Sequence, residues 1–401
     1  MSTFKNKFTL SEWSGAVGDL GILIPIGYAL VALNGFNANL LFLLWGLAYF
    51  ISGGYFKVPL SVQPLKAMAV LALGLNLTPD FLSGTAVVYG ALLLILSLSG
   101  VIRVLQKWFT PLVVKGIQVG IGLILAGKAI ELVRSYGMLL PADGTGNVYN
   151  VFIALILIVL LLYVQVYKKR HLGLLLLFIG LAAAWMFIPK ETPIATDVSI
   201  ALHLPKVADF ANMFWLLIIP QLPLTLGNAM YAAADSCKTF WPERSKKITP
   251  ARLGVSIGFF DMLIGLAGGF PICHGAGGIG AHAQFGGKTG GTTMILGAFL
   301  LVLAISGLAP LLLWIPTAIL GALLVVDSLR MVAMIGGLNL RYEWILSAAM
   351  GLIAFFSHNL TIALVIGVGG EYLLKKYARE LHSAFPPAGF LYQKVFITEK
   401  V

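Results

Sequence analysis

The residues with chemistry to offer are few and stand in apolar surroundings. Asp19 lies in Ser14-Gly15-Ala16-Val17-Gly18-Asp19-Leu20-Gly21, and Lys66 follows Val62-Gln63-Pro64-Leu65. Gln221, Thr225 and Asn228 stand at i, i+4 and i+7 in Pro220-Gln221-Leu222-Pro223-Leu224-Thr225-Leu226-Gly227-Asn228, a spacing that puts them on one helical face. His274 belongs to Pro271-Ile272-Cys273-His274-Gly275-Ala276-Gly277-Gly278. A carboxylate or ammonium in such surroundings must be paired, neutralised or functional. The set supplies one cation, several neutral hydrogen-bonding groups and two Gly/Pro-interrupted backbones, which suits holding an anion rather than breaking a bond. Cys237 and Cys273 lack metal-ligand spacing. No ligand cluster or nucleophile–base pair stands out, so neither a metal, a cofactor nor a catalytic residue is expected.

The elements that position these residues follow from composition. The chain has 401 residues, 59% hydrophobic and 11% charged, with a mean hydropathy of +0.93. Soluble domains are roughly 25% charged; a chain this poor in charge cannot cover a water-facing surface. Soluble enzymes, disordered chains and nucleic-acid-binding domains are thereby excluded. The 45 glycines agree with membrane helices. Apolar runs give fourteen candidate spans, near 12–33, 38–56, 59–75, 80–101, 108–131, 148–167 and 171–188, then 213–235, 250–269, 271–286, 290–308, 310–329, 342–357 and 360–375. With the N-terminus in the cytoplasm, 21 Lys and Arg fall inside and 3 outside, Lys66, Lys115 and Lys128 lying within spans. That bias is the positive-inside pattern, with both termini cytoplasmic, and it accounts for most of the net charge of +11.

The two halves echo one another. Gly53-Gly54 with Val58-Pro59-Leu60-Ser61 resembles Gly268-Gly269-Phe270-Pro271-Ile272-Cys273, an offset of 212 residues; Pro111 with Gly116 resembles Pro316 with Gly321, an offset of 205. Seven spans per half is an odd number, so the second copy enters from the opposite side. The expected architecture is an all-α polytopic protein of two inverted seven-segment repeats, residues 1–190 and 213–375, joined by an extracytoplasmic linker over 191–212, with a short cytoplasmic tail over 376–401.

Segments 3 and 10 are the weak spans. Pro59 and Pro64 keep Val58–Pro64 extended, with a helix expected to begin at Pro64. Pro271–His274 should run extended before the glycines open a second helix. Non-helical backbone at membrane depth must line a cavity or be buried in protein. Two helix N-termini near mid-depth would offer free N–H groups and positive dipole ends to an anion. Lys66 in a first turn opposes the dipole, so it contacts the anion, snorkels, or pairs with a carboxylate such as Asp19. Gln221, Thr225 and Asn228 line a polar cavity or hold helices together; His274 binds or is structural. Glu12 lies near the cytoplasmic edge, functional or simply solvated. Asp261 and Asp327 are embedded without an evident role, and His282 reads as a segment-end residue. Gly275–Gly280 matches G-x-G-x-x-G, but no βαβ unit surrounds it and no acidic residue follows at the right distance, so a dinucleotide is not expected.

The four motifs around Asp19, Lys66, Gln221 and His274 together resemble the molybdate transporter family, a branch of the sulfate permease superfamily, over nearly the whole chain. The resemblance implies core and gate domains, with segments 3 and 10 each a short strand plus a half-helix flanking the substrate. It also implies an oxyanion substrate (molybdate, sulfate or tungstate) and a possible homodimer; proton symport is expected because co-transported protons offset the cost of importing a dianion against a negative interior. About 25 residues follow the last span, too few for the C-terminal STAS domain of larger sulfate permeases. Nucleobase permeases of this fold typically carry a carboxylate in segment 8, where this chain has Gln221 and Asn228. The expected substrate contacts are Ser61, Gln63, Lys66, Gln221, Thr225, Asn228, His274, Gly275 and Gly277, with Asp19 coupling protons or organising the site. A nucleobase or other small-solute permease and an anion channel remain as alternatives.

Overall fold

A computed structural model describes residues 4–105, 108–135, 137, 148–166, 179, 180, 182, 186 and 202–376. Most of segment 7 and the tail beyond 376 lie outside the described residues, as does the linker over 191–201. The fold is mainly helical. Among the described residues five helices are long and apolar enough to cross a membrane: Ala38–Phe56, Pro79–Ser99, Pro111–Ser135, Val207–Phe240 and Thr317–Gly337. A sixth crossing is the bent pair Leu10–Val17 and Leu20–Asn34, which meet at 42°. Gly18 and Asp19 form that bend, and Asp19 occupies the N-cap position of the second helix. Apolar helices Val148–Val166, Pro250–Leu266, Gly291–Ile305, Arg341–Ser357 and Leu360–Lys376 complete the bundle.

Segments 3 and 10 are broken as their prolines and glycines require. Strand β1 (Gln63–Pro64) pairs antiparallel with β2 (Ile272–Cys273), Gln63 opposite Cys273 and Pro64 opposite Ile272. Helix Lys66–Leu75 follows the first strand and helix Ala276–Gln284 the second. At 1.5 Å per residue these ten- and nine-residue helices span about 15 and 13 Å, half a bilayer core. The first helix begins at Lys66, two residues later than Pro64 led us to expect. Pro64 remains in the ribbon, and the Leu65 N–H beyond it donates to Pro271 O at 3.1 Å. Because the strands run antiparallel, the helices leave opposite ends of the ribbon and their N-termini flank it.

Segment 8 is longer than its apolar run suggests. The helix continues to Phe240 and widens into π turns over Met213–Ile218 and Thr225–Ala232, on either side of Pro220 and Pro223. Each proline removes a backbone donor, and a wider turn accommodates the gap.

Glycines set the closest helix contacts. Ala38–Phe56 packs on Gly291–Ile305, and Pro79–Ser99 on Pro250–Leu266. At Gly46 and Gly297 a methyl group would stand 3.0 and 2.7 Å from the carbonyl oxygen of the opposite glycine; at Gly90 and Gly258 the values are 2.6 and 2.8 Å. Small residues let backbones approach this way where no hydrophobic effect drives association. Gly90→Leu should separate its helix pair, at a cost of about 1–3 kcal/mol of overpacking. A lowered melting temperature in detergent checks this; an unchanged one contradicts it.

Candidate functional site

The site is assembled around the two-strand ribbon, whose residues are buried. Trp45 Nε1 donates to Phe270 O at 2.9 Å and fixes the approach to the second strand. Asp261 Oδ1 accepts from Ile272 N at 2.6 Å and caps an open ladder position, which gives this embedded carboxylate a structural task.

Asp19 organises the first wall. Its side chain is fully buried. Tyr49 donates its hydroxyl to Oδ2, and Gln63 donates its side-chain amide to Oδ1. His282 Nε2 stands 3.6 Å from Oδ2. The bend in segment 1 therefore delivers a carboxylate to the ribbon, and Gln63 on β1 is held by it. His282 does stand in the last turn of its half-helix, as the sequence suggested, but it is fully buried. The half-helix beginning at Ala276 packs it against the first helix, where its ring meets Gly15 O and Asp19. Glu12 is likewise buried rather than solvated: it accepts from Lys288 N and Thr289 N, each at 3.2 Å, and from the Thr292 hydroxyl.

Helix 207–240 builds the second wall. Gln221 Oε1 accepts from Met68 N at 3.2 Å, and its Nε2 donates to Thr225 Oγ1 at 3.0 Å. Tyr89 donates to the same Thr225 oxygen at 2.6 Å. Gln221 thus satisfies one N-terminal amide of the first half-helix. Asn228 reaches the second: its Nδ2 lies 3.8 Å from where a Cβ on Gly275 would stand. On the ribbon itself, His274 is wedged between Ser61 O at 2.8 Å and Ser256 Oγ at 2.9 Å. Ser61 Oγ is buried without a hydrogen-bond partner among the described residues.

Lys66 stands apart from this tight network. Its ammonium lies 3.5 Å from Asp327 Oδ2, with the two side chains 14% and 11% exposed. The partner is thus Asp327, on helix Thr317–Ala333, and not Asp19. Neither half-helix start is capped by a side chain of its N-cap residue, Leu65 or Gly275. Gly277 is exposed, and a methyl group there would meet nothing within 4 Å. One residue on, Gly278 is enclosed: a methyl group would stand 2.5 Å from both Asp19 Oδ1 and Gln63 Nε2 and would strike Ser61 Oγ.

The structure places the ten residues singled out from the sequence on or beside the ribbon and sorts them. Ser61, Gln63, Gln221, Thr225 and His274 are buried and, Ser61 Oγ apart, engaged with protein groups; Lys66, Asn228 and Gly277 keep an accessible side. Tyr49, Tyr89, Ser256, His282 and Asp327 belong to the site too. Among the described residues no group of three His, Cys, Asp or Glu could hold a metal ion.

Similarity to known proteins places the chain in a family. A family model described as "Molybdate transporter of MFS superfamily" matches residues 11–125 and 213–331. Molybdate transporter 1 of Arabidopsis thaliana is 25% identical over 96% of this chain and 92% of its own. Molybdate transporter 1 of Chlamydomonas reinhardtii is 22% identical over 82% and 84%. Among solved structures, the murine Solute Carrier 26 family member A9 anion transporter in its inward-facing state aligns with a TM-score of 0.66 at 15% identity, covering 93% of this chain and 69% of that one. The transmembrane domain of a cyanobacterial bicarbonate transporter, BicA, aligns with a TM-score of 0.58 at 17% identity, covering 91% of this chain and all of that one. The fold is thus shared with these two transporters, and the segments that the family model matches contain every motif of the site. This chain belongs to the molybdate transporter family and is a multi-pass membrane transporter rather than an enzyme.

Proposed function

We propose that the protein is a secondary active importer of molybdate, or of a related tetrahedral oxyanion such as sulfate or tungstate, coupled to protons and working by alternating access. One observation carries this reading: two half-helix starts, neither capped by its own N-cap residue, flank a buried ribbon with a mostly buried lysine beside them. Free N–H groups and the positive ends of helix dipoles favour a negative ligand there. Lys66, Asn228 and the N–H groups opening the two half-helices contact the anion. Ser61, Gln63, Gln221, Thr225, His274 and Gly275 fix their positions, and Asp19 organises the whole.

The pairing of helices supports two inverted repeats. Spans 38–56 and 250–266 are counterparts under the proposed repeat, as are 79–99 and 291–305. The contacts of 38–56 with 291–305 and of 79–99 with 250–266 exchange under that symmetry. So do the contacts of 111–135 with 341–357 and of 317–333 with 148–166. Gly46 and Gly258, glycines at these two helix contacts, are offset by the same 212 residues as the two broken segments. On this reading segments 1–4 and 8–11 form a core that rocks against a gate formed by the rest, with both termini cytoplasmic. A homodimer is the assembly that the superfamily resemblance favours.

Moving a dianion inward against a negative interior costs about 2.3 kcal/mol per charge per 100 mV. Protons moving with it offset that cost. In proteoliposomes with an inward proton gradient, labelled molybdate should accumulate, and excess tungstate or sulfate should suppress uptake while a nucleobase does not. Suppression by the nucleobase would favour a permease for neutral bases. Currents beyond carrier rates without accumulation would favour a channel.

A further inference from the structure

The proton-coupling part of this reading needs a group that gains and loses a proton beside the substrate, and the ring nitrogens of His282 narrow the choice. Its Nδ1 lies 2.9 Å from Gly15 O. A carbonyl only accepts, so Nδ1 carries a hydrogen. The other nitrogen, Nε2, is fully buried with no hydrogen-bond partner among the described residues, and it faces Asp19 Oδ2 at 3.6 Å. With Nδ1 committed as a donor, the lone pair on Nε2 is the basic position left on the ring. A buried acceptor without a partner is costly, and a proton on Nε2 removes that cost by turning it into a donor aimed at a carboxylate.

We propose that His282 Nε2 is the position that takes up the coupling proton, with Asp19 as its counter-charge. This inference deepens the proton-coupled reading and rests on it. Loading forms an N–H bond on Nε2 as an O–H bond of hydronium breaks, leaving an imidazolium against the Asp19 carboxylate; release on the other side reverses both. Asp19 also holds Gln63 on β1, and His282 sits in the half-helix that begins at Ala276. A change of charge at the pair therefore bears directly on β1 and on the half-helix that follows β2, through contacts already present.

The other titratable and charged groups around this half-helix are differently engaged. Glu12, on the first helix, is spent on Lys288 N, Thr289 N and the Thr292 hydroxyl. Tyr49 donates to Asp19 itself. On helix 207–240, Cys237 is buried, Asp235 and Lys238 are exposed, and Tyr231 is partly buried; Lys288, in the turn that follows, is exposed. Asp19 is the carboxylate within ion-pair distance of His282 among the described residues. His274, the other buried histidine of the site, has both nitrogens engaged.

His282→Gln tests the assignment, since glutamine keeps a donor for Asp19 but cannot titrate. Molybdate uptake by proteoliposomes is measured as a function of pH, with a pH dye counting protons moved per molybdate. Wild-type uptake should rise as pH falls. In His282→Gln the slope should vanish, with one proton fewer per molybdate. Asp19→Asn, which removes the counter-charge, is an independent arm should the glutamine variant fail to fold, and it should flatten the profile as well. A variant that keeps the wild-type slope and proton count overturns the assignment while leaving proton coupling intact. Wild-type protein that moves molybdate without protons overturns proton coupling itself, and the assignment with it.

Discussion

Gly278→Ala is expected to abolish molybdate uptake, by about 100-fold or more. The added methyl would lie 2.5 Å from Asp19 Oδ1 and Gln63 Nε2 and would strike Ser61 Oγ. None of the three can swing aside, because Asp19, Ser61 and Gln63 are at most 1% exposed. Either the Gln63–Asp19 hydrogen bond breaks, or the half-helix shifts off the ribbon. Overpacking a buried site costs about 1–3 kcal/mol, and each buried polar group left without its partner adds about 1–3 kcal/mol. About 3 kcal/mol is therefore a modest total, and 1.4 kcal/mol is a factor of ten. Gly280→Ala is the matched control: it lies two residues on in the same helix, where a methyl group meets nothing within 4 Å. It should transport normally. Equal uptake by the two variants would contradict the packing described around Asp19.

Lys66→Met is expected to weaken molybdate binding by roughly 30-fold to more than 1,000-fold, since truncating one partner of a buried charge pair costs about 2–5 kcal/mol. Two causes act together. The ammonium no longer faces the anion, and Asp327, 3.5 Å away and 11% exposed in its side chain, is left as an uncompensated negative charge. The second cause is removed in Lys66→Met/Asp327→Asn. If Lys66 contacts the anion, the double variant recovers stability but only part of the affinity. If Lys66 serves only to neutralise Asp327, the double variant binds as wild type does. Equilibrium binding with labelled molybdate, beside a melting curve, separates the two cases.

Much of this site was legible in the sequence because backbone chemistry announces itself locally. Pro59, Pro64 and Pro271, with the glycines after His274, mark the places where a membrane helix cannot continue, and the structure has a strand and a half-helix at each. The i, i+4 spacing of Gln221 and Thr225 likewise places them in mutual hydrogen bond. The partners were less legible, because they arrive from far along the chain. Tyr49 reaches Asp19 across 30 residues, and Thr225 meets Tyr89 across 136. Nothing near His282 distinguishes it from a histidine ending a segment; its role follows from a half-helix laid against the bend at Asp19. Asp327 sits inside an ordinary apolar helix, and only the packing of that helix reveals its lysine. The π turns flanking Pro220 and Pro223 also escaped the apolar pattern, which reports burial and not the width of a turn.

The claim on which the rest depends is that the anion lies at the paired half-helix starts. Tungstate is a heavy-atom counterpart of molybdate, so a structure of the protein with tungstate bound, located by anomalous scattering, tests it directly. The account predicts a single strong peak beside the ribbon, within contact of Lys66, Asn228 and the backbone at Gly277. A peak elsewhere in the protein, with those groups unoccupied, would contradict it.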